Sequence, residues 1–179
     1  REEFQKKNTL AVIGAAGNIG SIITEKLLER DDQFKKIILI GRNGNKQEKL
    51  AAEMSALGYV NKNIELAIAE ELSALKECDV ITVAANTSDP IIFPHHIAHD
   101  FPVLISDMSV PSAVSPEVKK MKNVINHPFV SYITLSEDPD FIMSSCTPRG
   151  SLYCCAAEAI LCGLERVDVP LRGRITVEA

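Results

Sequence analysis

Three glycines, Gly14, Gly17 and Gly20, follow an apolar, β-branched run at residues 10–13 and open directly into an amphipathic segment at residues 19–28. Residues of this kind, in this order, can hold a diphosphate. A helix N-terminus offers unpaired N–H donors and the positive end of a dipole to negative charge. Glycines let the backbone turn tightly and approach the phosphates, where a Cβ would intrude. The triplet alone also fits a tight strand-to-helix turn in an unrelated α/β protein, and it is the strand before it and the helix after it that give it weight. Gly14, Ala15, Gly17, Asn18, Ile19 and Gly20 are the candidate phosphate-binding residues, and a dinucleotide is the ligand class.

A second group stands where the next strand should end. Residues 36–40 are apolar and run into Gly41, Arg42 and Asn43, with Lys46 nearby. In a βαβ unit this strand end meets the adenosine ribose, where an Asp or Glu would accept from the 2′-hydroxyl. A guanidinium suits a 2′-phosphate instead, so Arg42 and Asn43 favour NADPH over NADH. The plain alternative is a solvated arginine at a strand end. Residues 79–83 form another apolar run, followed by Ala84, Ala85, Asn86 and Thr87. Small residues there let a nicotinamide ribose come close, which makes Ala85 and Asn86 candidates, or they serve packing alone.

Nucleophilic chemistry would need a thiol. Residues 148–163 read as a helix with Thr147 as N-cap, Pro148 at the first helical position and Gly163 as the stop. Cys154 and Cys155 would then lie about two turns inside it. Adjacent helical residues point about 100° apart, so one of them at most can face a given site. A thiolate can take an acyl group from another thioester; both cysteines are otherwise small core residues. His95, His96 and His99 lack a cysteine or carboxylate at fitting spacing, and neighbours on a helix point different ways, so a polar helix face is favoured over a metal site. Asp107 and His127 are acid/base candidates, or hydrogen-bonded loop residues.

These residues need a frame. Apolar runs at 10–13, 36–40, 64–68, 79–83, 103–106 and 124–125 alternate with helical patterns at 19–28, 46–57, 70–76 and 117–121. That alternation predicts an α/β, Rossmann-type doubly wound, mostly parallel sheet with helices on both faces. Residues 1–8 read as a linker from an amino-terminal region and 9–179 as the NADP-binding domain, a piece of a longer protein. The formal charge of −5 argues against a nucleic-acid footprint, and no apolar run is long enough to span a bilayer. Five cysteines without a C-x-x-C pair, and no signal peptide, favour a reducing, cytoplasmic setting.

The stretches Gly14-Ala-Ala-Gly-Asn-Ile-Gly-Ser21, the Arg42 strand end, Tyr153-Cys-Cys-Ala-Ala-Glu-Ala-Ile-Leu161 and Ile175-Thr-Val-Glu178 together resemble the long-chain acyl-(acyl carrier protein) reductase family. The resemblance implies NADPH-dependent reduction of a fatty acyl thioester to an aldehyde through a cysteine thioester. Acyl carrier protein or acyl-CoA would be the donor, the rest of the parent protein a partner, and no metal is involved. It selects Cys155, not Cys154, as nucleophile. Two departures stand out: Ala156 where a bulkier aromatic is usual, and Phe129-Val-Ser-Tyr-Ile-Thr134 where a glycine-containing turn is usual. The 107–111 segment also resembles glutamyl-tRNA reductase and shikimate dehydrogenase; in the former the nucleophilic cysteine belongs to a separate amino-terminal domain. A non-catalytic NADP(H)-binding module and a hydroxyl/ketone dehydrogenase are the competing readings.

Overall fold

A computed structural model describes residues 8–29, 34–58, 64–98, 100–128, 132–134 and 150–166. The apolar runs become strands β1 (Thr9–Ile13), β2 (Lys36–Ile40), β3 (Glu65–Ala69), β4 (Val80–Val83), β5 (Val103–Asp107) and β6 (Val124–Pro128), all parallel and ordered β3-β2-β1-β4-β5-β6. The central β1 is buried at all five positions because both of its faces are covered. Leu10 and Val12 point to one core with Leu28, Leu50 and Met54 from helices α1 (Asn18–Leu28) and α2 (Gly44–Ala56). Ala11 and Ile13 point to the other, with Leu75, Ile92, Phe101 and Val118. Each fully buried Leu or Ile contributes about 1.5–3 kcal/mol. The Rossmann-type, doubly wound architecture expected from the alternation is therefore present.

Several boundaries differ from expectation. The expected helix at 70–76 is a 3₁₀ turn, Leu72–Glu77. Helix α3 is short, Pro116–Lys119, with Ser115 as N-cap accepting the Val118 N–H at 3.4 Å. Strand β6 runs on to Pro128, so Asn126 and His127 belong to the strand, paired with Ile105 and Ser106 of β5. The chain parts into two compact units after Pro128. The second unit contains strands β7 (Tyr132–Thr134) and β8 (Ser151–Tyr153), paired antiparallel, and helix α4 (Cys154–Leu164). No helix among the described residues is long and apolar enough to cross a membrane.

The expected helix face at residues 90–99 is also replaced. Only Pro94–His96 form a turn, 3₁₀ in type, and His99 lies outside the described residues. The His95 and His96 rings sit 3.9 Å apart, tilted by 56° to one another. His96 Nδ1 accepts the Phe93 backbone N–H at 3.1 Å. Partial burial, then the neighbouring charges of His95 and Lys76, lower the His96 pKa from its ordinary 6.5. A lowered folded-state value stabilises the fold above the ordinary value, and that contribution is lost as pH falls through the folded one. Melting temperature measured between about pH 7.5 and 5 should fall on the acid side. His96→Asn, which keeps an acceptor but does not titrate, should flatten that decline.

Candidate functional site

The site begins where β1 stops. Gly14 has φ of +78°, a left-handed conformation that side chains strain to adopt, and a Cβ there would meet the Ala84 carbonyl oxygen at 2.5 Å. Its N–H donates to the Ile40 carbonyl and its own carbonyl accepts from Gly17 N–H, both at 2.9 Å. The loop is thereby pinned to β2 and turned back on itself. Gly20 meets a different limit. A Cβ on it would overlap the Gly14 carbonyl oxygen and come within 2.8 Å of the Ala15 Cα, so α1 lies hard against the loop. The N-cap of α1 is Gly17, which has no side chain to cap with, and no acidic residue stands in the first turn. By helix geometry the N–H groups of Asn18, Ile19 and Gly20 lack intrahelical partners. An anion finds both donors and dipole there.

A cleft of about 500 Å³ opens over the carboxyl ends of β1, β2 and β4. Strand order reverses between β1 and β4, and such a crevice is where open α/β sheets take their ligands. Gly14, Gly17, Arg42, Ala85, Asn86 and Thr87 line it. Of the other candidates, Ala15 and Gly20 are buried beneath the loop, while Asn18 and Ile19 stand exposed on the first turn of α1. Asn18 lines an adjoining groove of about 280 Å³ with Lys46 and Lys49. Asn43 is the N-cap of α2 but makes no side-chain cap bond. Thr87 Oγ1 is turned to its own loop, donating to the Asp89 carbonyl at 2.6 Å.

Two residues that sequence reasoning missed shape the Arg42 end. Pairing of β2 with β3 brings Gly41 N–H onto the Ala69 carbonyl at 3.2 Å, which sets Glu70 beside the Gly41–Arg42 turn. Glu70 lines the cleft, and its Oε1 accepts the Gly44 N–H at 2.6 Å, supplying the cap that Asn43 does not. The side chain of Gln47, only 3% exposed, fills the space a Cβ on Gly41 would need, and its Oε1 has no hydrogen-bond partner. A lone Glu among several, and a Gln on an otherwise polar helix, carry no sequence signal that would single them out.

The acid/base candidates fare differently. Asp107 is 2% exposed, and its carboxylate accepts Ser109 N–H at 3.0 Å, Ser112 Oγ–H at 2.7 Å and Ala113 N–H at 3.0 Å. Its carboxylate is engaged in organising the loop after β5. His127 is exposed on β6. Among the described residues no three His, Cys, Asp or Glu side chains cluster as a metal site requires.

In the second unit the cysteine helix starts later than expected. Gly150 takes φ of +73° and residues Ser151–Tyr153 pair with β7, so their backbone groups serve a sheet. Helix α4 therefore begins at Cys154, and Cys155 lies in its first turn, not two turns inside. The expected Thr147 and Pro148 start lies outside the described residues, and Gly163 does not end the helix, which continues to Leu164. Cys155 is exposed and Cys154 half-buried. Cys78, in the first unit, is fully buried; burial first, then Glu77 and Asp79, push its thiol up to about 12, away from the thiolate form.

Fold and cleft define a Rossmann-type, pyridine-nucleotide-binding domain. The profile of the shikimate / quinate 5-dehydrogenase family matches residues 1–128, and the chain belongs to that family. The match ends where the first compact unit ends. Over 158 residues the chain is 28% identical to a glutamyl-tRNA reductase of Flavobacterium psychrophilum, covering 87% of this chain and 34% of the relative. Over 128 residues it is 32% identical to a glutamyl-tRNA reductase of Chloroherpeton thalassium, covering 68% and 27%. The chain thus spans about a third of the length of these relatives. A ligand-free lactate dehydrogenase variant of Trichomonas vaginalis shares the fold, with a TM-score of 0.53 and 15% identity over 71% of this chain and 46% of that one. The family is the one to which the 107–111 segment pointed; the fatty-acyl assignment has only the sequence resemblance behind it.

The backbone contact between Gly14 and Gly20 yields a test. Gly→Ala inside a helix ordinarily stabilises by about 1 kcal/mol. Gly20→Ala should instead destabilise the chain by about 1–3 kcal/mol in urea unfolding, because neither backbone can yield cheaply.

Proposed function

We infer that the first unit binds NADPH and serves as the hydride-donating domain of a reductase within a larger protein. The observation that carries this reading is the cleft itself, lined by the Gly14 turn, by Gly17 at the start of α1, by Arg42 and by Ala85 and Asn86. Among the described residues Arg42 forms no ion pair, so its guanidinium is available to a 2′-phosphate. The fit to a dinucleotide rests on the loop geometry, because a Cβ at Gly14 would meet the Ala84 carbonyl and one at Gly20 the Gly14 carbonyl, and either would displace the turn that presents the donors. Bound there, NADPH supplies hydride. The chain's own groups hold the diphosphate at Asn18, Ile19 and Gly20 N–H and leave Ala85 and Asn86 at the nicotinamide end. Arg42→Ala should weaken NADPH binding about tenfold or more in calorimetric titration while NADH binding changes little.

The substrate we propose is an acyl group at the oxidation level of an ester or thioester, reduced to an aldehyde. Relatives named glutamyl-tRNA reductases support an activated acyl substrate, and the resemblance of the Cys155 helix supports a thioester of acyl carrier protein or coenzyme A. Cys155 supports the covalent route because it is exposed in the first turn of α4, where unpaired N–H donors suit a developing oxyanion. Its thiolate would attack the acyl carbon, the carrier thiolate would leave, and the acyl group would remain on Sγ. Intact mass after incubation with an acyl-CoA, without nucleotide, should show one acyl addition that maps to Cys155, spares Cys78 and vanishes in Cys155→Ala. Binding of NADPH with no adduct on any cysteine would leave a hydride-donating module whose acyl chemistry lies elsewhere in the parent protein.

A further inference from the structure

Arg42 is not the only charge at the ribose end of the cleft. We propose that Glu70 is a specificity-determining residue that opposes Arg42 and holds the preference for NADPH over NADH in check; this rests on reading the cleft as the dinucleotide site. Three observations place it. Pairing of β2 with β3 ties Gly41 to Ala69 and so sets the Glu70 carboxylate next to the Arg42 turn, on the wall of the same cleft. The carboxylate is held there and not left to wander, because Oε1 accepts the Gly44 N–H at 2.6 Å where α2 has no side-chain cap of its own. No ion pair between Glu70 and Arg42 neutralises the two, so each presents its charge to the ligand.

The consequence follows from the chemistry of the ribose. A 2′-hydroxyl can donate to a carboxylate, whereas a 2′-phosphate, carrying close to two negative charges, is attracted by Arg42 and repelled by Glu70. The Gly44 N–H, the natural donor for that phosphate at the start of α2, is already taken. Glu70 therefore removes part of what Arg42 contributes, and the chain accepts both nucleotides with a modest preference for the phosphorylated one.

Glu70→Gln isolates the charge, because the amide oxygen still accepts the Gly44 N–H. Equilibrium titration of the full chain with NADPH and with NADH should show the NADPH-to-NADH affinity ratio rise about tenfold in this variant. Glu70→Ala, which also removes the cap, should move the ratio in the same direction. An unchanged ratio in Glu70→Gln, or a loss shared equally by both nucleotides in Glu70→Ala with no gain in Glu70→Gln, would mean that Glu70 only caps α2 and would overturn the proposal. Failure of the unaltered chain to bind either nucleotide would instead overturn the reading of the cleft, a result these variants do not mimic.

Discussion

The structure of the first unit depends on one approach of backbone to backbone. The end of β1 and the first turn of α1 come so close that Gly20 has no room for a Cβ, and the Ala84 backbone after β4 leaves none at Gly14. That contact fixes the angle at which α1 leaves the sheet and so aims three unpaired amides at one point. The hydrogen bond from Gly14 to Ile40 fastens the turn to β2, and the Ala84 carbonyl closes it from the β4 side. Phosphate geometry, ribose geometry and the crevice between β1 and β4 are then consequences of one packing decision. A side chain larger than hydrogen at either position would not shrink the site but misalign it.

What could be read from the sequence was what is decided locally or by periodicity. The six parallel strands are legible because burial on both faces leaves them as apolar runs punctuated by polar loops. The Gly14–Gly20 loop is legible because a tight turn and a close helix approach both demand glycine. The start of α4 was not, since residues 151–153 are drawn into a sheet by β7, whose residues 132–134 lie well upstream, which no helical cap signal can reveal. Pro148 and Thr147 look like a helix start only while that pairing is ignored. Glu70 escaped for the same reason: its place beside Arg42 is set by strand pairing, not by sequence distance.

Family membership and the two compact units divide the molecule in the same place. The shikimate / quinate 5-dehydrogenase profile accounts for the unit that contains the cleft, and the cysteine helix belongs to the other. Nucleotide binding and acyl chemistry therefore rest on separate grounds. The former has geometry, charge and kinship behind it. The latter depends on an exposed thiol at a helix start and on resemblance, and each can fail without the other.

The loop after β5 has a further meaning. Asp107 ties down residues 109, 112 and 113 with three hydrogen bonds from beneath, at the carboxyl edge of the sheet that also forms the cleft. Such a rim loses its conformational freedom when the chain folds, not when a ligand arrives. Whatever meets that loop finds the backbone of residues 109 and 113 already held by the Asp107 carboxylate.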